Sequence, residues 1–379
     1  MPFDTDLVTT SSDAQAPTKL ASTAQLDAAL KLLLEGDFRS RWEATKQLPT
    51  LGKPTIAHLV LLLEDDDIDW EIRWFAARTL GNFTDPEALA SLVRLLERTC
   101  EPELITIAAE GISRFGAEGI TALVQLSKNP SHRVTAMQAL AGIRHKAALP
   151  PLLAAAQDEN AEVRSVALSA LGHFRDPDVD AVLVETVQDP AASVRQEAIT
   201  HLGLRAHLLA TVDLVAILQP RLQDTHLEVA QATAIALGRL GTDTAIATLA
   251  QALQSPSTPE SLQTILVRAL GWIEQTDALD AILAARLTAP LAVQLGIVEA
   301  LPRFEAPLLK QRAAAALCDW LTQLPNEASA VRVIQAIALA LGDLQPPQAQ
   351  ALLETLAQTT DEQTRLYAEA AIRKIADSL

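Results

Sequence analysis

The chain has 379 residues, 49% of them apolar but only 3% aromatic, so a core can form but must be built mainly from Ala, Leu, Val and Ile. Thirty Lys and Arg against 47 Asp and Glu give a formal net charge of −17, which argues against nucleic acid and leaves a protein partner with a basic face as the plausible ligand. Cys100 and Cys318 form no C-x-x-C, which points to neither a disulfide framework nor a Cys-rich metal site; both read as small buried hydrophobes.

Residues 1–22 carry Asp4, Asp6 and Asp13 and lack the basic segment and apolar run of a signal peptide, so they read as a disordered cytoplasmic tail. No stretch is apolar for long enough to span a membrane, and the sequon at Asn82 has no meaning without secretion. From residue 23 to residue 379 the chain is periodic. The marks are Leu51-Gly52, Leu80-Gly81, Phe115-Gly116, Ala141-Gly142, Leu171-Gly172, Leu202-Gly203, Leu237-Gly238, Leu270-Gly271 and Leu341-Gly342, with Leu301-Pro302 where one is missing. Each closes an apolar pattern of helical spacing, such as Val163, Val166, Ala167, Ala170 and Leu171, and the glycine reads as a helix C-cap. The other helix of each unit opens at a cap followed by proline or an acid, as in Asp85-Pro86-Glu87 and Asp176-Pro177-Asp178. This pattern predicts about eleven antiparallel helix pairs between Thr23 and Ala376. A single pair cannot bury its apolar face alone, so the expected fold is an all-α solenoid, a right-handed superhelix with a concave face. Period-two alternation is absent, and no strand is expected.

Three units carry a further mark. Asp67 and Arg73, Asp158 and Arg164, and Asp189 and Arg195 share the spacing D-x5-R, each arginine eight residues before its glycine. Aligned as DIDWEIRWFAARTLG, DENAEVRSVALSALG and DPAASVRQEAITHLG, they resemble the HEAT-like repeat of the E/F-type phycobilin lyases of cyanobacteria, over most of the chain. In later units Ala230, Gln263, Gln294 and Ile334 stand in place of the arginine. The pair has a structural reading: the aspartate caps the second helix, and the arginine reaches it or the aspartate of the next unit. The resemblance implies either attachment of a linear tetrapyrrole to an antenna protein or partner binding without chemistry. It carries over no catalytic residue.

Overlaying the units puts Trp70, Trp74 and Arg78 at i, i+4 and i+8 on the solvent side of one helix, where other units have small polar residues. With Arg73 they read as the anchor of a docking surface, because Trp and Arg dominate such sites. The alternative is that Trp70 and Trp74 pack against the N-terminal helix or Trp42. The run Glu64 to Asp69 reads as a solvated turn with an N-cap or as an acidic rim, through Asp66, Asp67 and Asp69, for a basic partner. Arg268 and Glu299 occupy the place of Arg78 in later units, while Trp272 and Trp320 read as core. None of the seven histidines is followed by glutamate, and no phosphate loop, nucleophile elbow or zinc motif is present, so no metal and no catalytic residue is expected. The favoured reading is a monomeric, non-enzymatic adaptor or assembly factor that needs no cofactor; the alternative is a lyase or chaperone holding a bilin, with a phycobiliprotein as client. The polar last unit, with Arg365, Glu369, Arg373 and Lys374, reads as a soluble cap.

Overall fold

The computed structural model describes residues 16–324 and 330–376. Among them are twenty-two α-helices, a few short 3-10 turns and no strand. The fold is an α-solenoid of eleven consecutive helix pairs, as the repeat marks predict. The first helix, α1 (Ala16–Glu35), takes in residues 16–22 of the segment read as a tail, and residues 1–15 lie outside the described residues.

Two compact units divide between Val179 and Asp180. The first contains α1, α2 (Phe38–Gln47), α3 (Pro54–Glu64), α4 (Trp70–Leu80), α5 (Pro86–Arg98), α6 (Pro102–Ser113), α7 (Ala117–Leu126), α8 (Arg133–Ala141), α9 (Leu149–Ala155) and α10 (Ala161–Leu171). The division falls inside α11 (Pro177–Thr186). The second unit continues with α12 (Ala192–Leu202), α13 (Leu214–Leu218), α14 (Leu227–Leu240), α15 (Asp243–Gln254), α16 (Glu260–Leu270), α17 (Thr276–Ala285) and α18 (Leu291–Ala300). It ends with α19 (Pro307–Gln323), α20 (Val331–Leu344), α21 (Ala349–Leu356) and α22 (Glu362–Ala376). Within each unit the even-numbered helices pack directly on one another in a continuous row.

Only two of the recurring glycines, Gly52 and Gly116, have a positive φ. Gly81, Gly142, Gly172, Gly203 and Gly271 end their helices in the right-handed helical region, and Gly238 and Gly342 lie inside α14 and α20. For Gly81, Gly203, Gly238, Gly271 and Gly342 the shared property is close approach to the next even-numbered helix or its end, and not left-handed capping. A Cβ on Gly203 would fall 2.7 Å from Ala236 Cα, one on Gly238 2.9 Å from Ala269 Cβ, and one on Gly342 3.0 Å from Ala371 Cα. Ala236 and Ala269 each stand two residues before the next glycine. The tripeptide Ala-Leu-Gly therefore has three jobs: the alanine meets the preceding glycine, the leucine (Leu237, Leu270) is buried, and the glycine meets the following alanine or its equivalent.

The repeated Asp and Arg tie neighbouring repeats together. Each arginine first serves its own turn: Arg164 Nη1 donates to the carbonyls of Asp158 (2.8 Å) and Glu159 (3.1 Å), and Arg195 Nη1 to those of Asp189 (2.8 Å) and Pro190 (3.0 Å). The remaining edge of Arg195 reaches the next repeat, where Nε and Nη2 each donate to Asp224 at 2.8 Å in a bidentate pair. Arg133 on α8 makes a looser pair of the same kind with Asp158, at 3.3 Å. In the first D-x5-R unit, Arg73 pairs with Asp66 at 3.4 Å, and Asp67 Oδ1 and Oδ2 take no part.

Alanine is the better helix former by about 0.5–1 kcal/mol, yet Gly203→Ala should destabilise by about 1–3 kcal/mol in chemical denaturation, because its Cβ meets the Ala236 backbone. Gly142→Ala, whose nearest foreign atom is a carbonyl oxygen of its own helix at 3.4 Å, should be neutral or stabilising. Burial of Asp224, 3% exposed, works to raise its pKa, but hydrogen bonds from Arg195 and the His226 amide and the charges of Arg195 and Arg221 outweigh it and hold the carboxyl below the usual value of 3.8. Its stabilisation is thus present above that value and lost as pH falls through the depressed one. Asp224→Asn should lose about 3 kcal/mol or more at pH 7 because it strands Arg195, and melting across pH 2–7 should show the gap closing only in acid.

Candidate functional site

The residues singled out in the sequence gather on α2 and α4 in the first unit. Asp69 caps α4, its Oδ1 accepting the Glu71 amide at 2.8 Å, and Asp65 Oδ1 accepts the Asp67 amide at 3.0 Å to form the turn before it. Much of the acidic run is engaged. Glu64 pairs with Arg94 at 2.7 Å, and Asp66 pairs with Arg98 at 2.5 Å as well as with Arg73. Asp67 and Asp69 are exposed at the edge. Arg73 is buried and turned to this turn, apart from the row of Trp70, Trp74 and Arg78 with which it was grouped in the sequence reading.

The row itself divides. The Arg78 guanidinium carbon stands 4.4 Å from the ring centroid of Trp42 and 5.6 Å from that of Trp74, so one cation is held between two indoles from α2 and α4. Trp74 also meets Phe75 edge-on at 5.1 Å, and Arg78 reaches Glu110 on α6 at 4.0 Å. Arg41 bonds Glu71, which closes α2 on α4 from the other side. Trp70, at 49% exposed, lies open to solvent at the start of the row.

Phe38 joins it. This ring stacks on Trp42 (6.3 Å, 16°), touches Phe75 edge-on (5.4 Å), and is 61% exposed. Sequence reasoning missed it, although Phe38 and Trp42 are four residues apart on one helix and so share a face. The result is a shelf: Trp42, Trp74 and Arg78 packed together, with Phe38 stacked on Trp42 and exposed, and Trp70 exposed one turn before Trp74.

Elsewhere two expectations are corrected. Trp320 is fully buried, but Trp272 follows Gly271 outside the helix and is 42% exposed. Cys318 is buried, which pushes its thiol pKa up, whereas Cys100 lies in the α5–α6 turn and is exposed. Arg268 and Glu299 are exposed. Among the described residues no group of His, Cys, Asp and Glu is arranged to hold a metal ion, and no helix is long and apolar enough to cross a membrane.

Compared with known families, residues 26–113, 118–203, 181–266 and 215–302 match HEAT repeats. The chain belongs to the HEAT-repeat family. No curated protein matches it in sequence. Among solved structures, a chain from a structure of Kap95p bound to RanGDP aligns with a TM-score of 0.64 at 14% identity, over 94% of this HEAT-repeat chain and 55% of that one. Importin beta crystallised in ammonium sulfate aligns at 0.59 and 16% identity, over 93% of this chain and 55% of that one. Importin beta crystallised in polyethylene glycol aligns at 0.53 and 14%, over 98% and 62%. At these identities the likeness is one of fold, and the HEAT-repeat chain spans little more than half the length of those solved chains.

Removing the cation should loosen the shelf. Arg78→Ala should lower stability by about 1–2 kcal/mol, because both indoles lose their partner, whereas Trp70→Ala should change it by less than about 1 kcal/mol in the same denaturation measurement.

Proposed function

We propose that this HEAT-repeat protein is a non-enzymatic cytoplasmic scaffold or assembly factor that binds a protein partner through the shelf on α2 and α4. The observation that carries this reading is the pair of exposed aromatics, Phe38, stacked on Trp42 of the cation–π cluster, and Trp70, one turn before Trp74 at the start of α4. Large rings held out to solvent on a fixed base are the anchors from which protein interfaces draw most of their energy. The exposed carboxylates of Asp67 and Asp69 give the shelf an acidic rim, which suits a partner with a basic face and agrees with the net charge of −17. Kap95p, which shares the fold, binds RanGDP; HEAT solenoids commonly bind proteins.

The second reading, a lyase or chaperone that holds a bilin, needs cations for the ligand's propionates. The arginines of α4, Arg73 and Arg78, are already engaged, with Asp66 and with Trp42, Trp74 and Glu110 respectively. That occupancy favours the scaffold.

The test uses wild type, a Phe38→Ala/Trp70→Ala variant and a Trp272→Ala control as baits, with an absorbance scan of each eluate. A defined, colourless partner should be retained by wild type and control and lost by the double variant, whose helical circular dichroism should be unchanged. A blue or red eluate would transfer the assignment to the bilin reading. Equal capture by all three baits would remove the shelf from the function.

A further inference from the structure

In the second unit the ladder of arginines and aspartates stops after its first rung. Arg195 of α12 crosses to Asp224 in the turn before α14. The next rung would run from the residue eight before Gly238 to the residue fourteen before Gly271, and these are Ala230 and Ser257. Both ends of the ion pair are gone. A cavity of about 510 Å³ lies there, walled by Ala230, Ser257, Asp224, Thr225, Thr248 and Thr258, a volume within the ~300–1,000 Å³ range of ligand pockets.

The wall is rich in acceptors. In α10 and α12 the arginine donates to the carbonyls six and five residues before it. In α18, where Gln294 stands in its place, the side-chain Nε2 still donates to the carbonyl of Ala289, five residues before. Ala230 has no donor to give. Its two turn carbonyls, those of Asp224 and Thr225, accept no hydrogen bond among the described residues. The hydroxyls of Thr248 and Thr258 already donate, to the carbonyls of Thr244 (2.8 Å) and Ala252 (2.7 Å), so what they offer the cavity is lone pairs.

The anionic end of the rung leaves no such demand. In each intact turn the aspartate accepts the amide two residues on, as Asp158 does from Asn160, Asp189 from Ala191 and Asp224 from His226. Two residues beyond Ser257 stands Pro259, which has no amide hydrogen. Asp224, in the wall, is paired with Arg195, and among the described residues no Lys or Arg lines the cavity. The wall also carries the amides of Gln219, Gln223 and Gln251, which can turn either an acceptor or a donor inward, and with its open turn carbonyls, in a chain of net charge −17, it suits a ligand that only donates and carries positive charge.

We propose that this cavity receives an arginine side chain of a partner protein, which supplies in trans the guanidinium that Ala230 deletes. Its planar fork would take the carbonyls of Asp224 and Thr225, as Arg164 and Arg195 take theirs, while its aliphatic stem lies along Leu222 and Leu227. This surface is separate from the shelf on α2 and α4 and stands or falls independently of it.

The test titrates N-acetyl-arginine amide into the full chain and follows binding by NMR, with N-acetyl-lysine amide and inorganic phosphate in parallel. Saturable binding of the arginine probe is expected, with none for lysine amide or phosphate. Ala230→Arg should abolish it and raise the melting temperature by filling the rung from within. Ala230→Gln, which mimics Gln294 and is the smaller change, should weaken it, and both variants are checked for helical circular dichroism. Failure of the arginine probe to saturate, unchanged binding in either folded variant, or saturable binding of phosphate in place of arginine would overturn the assignment.

Discussion

Successive even-numbered helices approach so closely within each unit that a single methyl group at the contact point would have to displace backbone. Gly203 against Ala236, Gly238 against Ala269 and Gly342 against Ala371 set that distance, and much of the remaining structure follows from it. Where the backbones nearly touch, the leucines beside the contact, Leu237 and Leu270, are fully buried. The same proximity places the turn before one even-numbered helix within reach of an arginine on the preceding one, and so makes the Arg195–Asp224 pair geometrically possible.

That pair illustrates how a repeated motif can be structural and still shape function. A buried, bidentate Arg–carboxylate contact needs both partners, since removing either one leaves a charge without compensation. Where both are replaced together, as at Ala230 and Ser257, no charge is stranded and the fold tolerates the change, but the space and the turn's carbonyls remain. Departures from the repeat are therefore more informative about recognition than the repeat itself. The shelf on α2 and α4 is a departure of the opposite kind, where Trp70 and Trp74 replace the small residues found at Ala161 and Ser165 in α10.

The periodicity of Leu-Gly marks and Pro-containing helix starts was sufficient to read the helix pairs and their number, because each mark reflects a local requirement repeated many times. What a single mark does physically was less legible. Glycine at a helix end suggests a left-handed cap, and only the partner helix, invisible in a linear string, reveals that Gly203 and Gly238 serve interhelical distance. The D-x5-R spacing was read as an arginine reaching its own aspartate or that of the next unit; Arg195 does reach the next one, Asp224, but Arg73 takes Asp66 in place of Asp67, and the bonds of Arg164 and Arg195 to their turn carbonyls were not legible in the spacing. Trp272 and Cys100 were assigned to the core on composition alone; each stands just beyond a helix end, where burial is decided by the loop and not by the helix face. Phe38 escaped notice because its place fourteen residues before Gly52 is the one that Asp67 holds before Gly81, a turn position that the repeat does not mark as part of the helix face.

The rungs join residues that are near in sequence: Arg133 to Asp158 spans 25 residues, Arg195 to Asp224 spans 29, and Gln275 to the carbonyl of Gly241 spans 34. Each cross-repeat bond needs only the helix pair before it and the one after it, so little loop entropy must be surrendered before a contact forms. A chain emerging from the ribosome can thus close each rung as soon as the next turn appears, without waiting for its C-terminus. The spacing that fixes the ladder also sets the order in which the protein can be built.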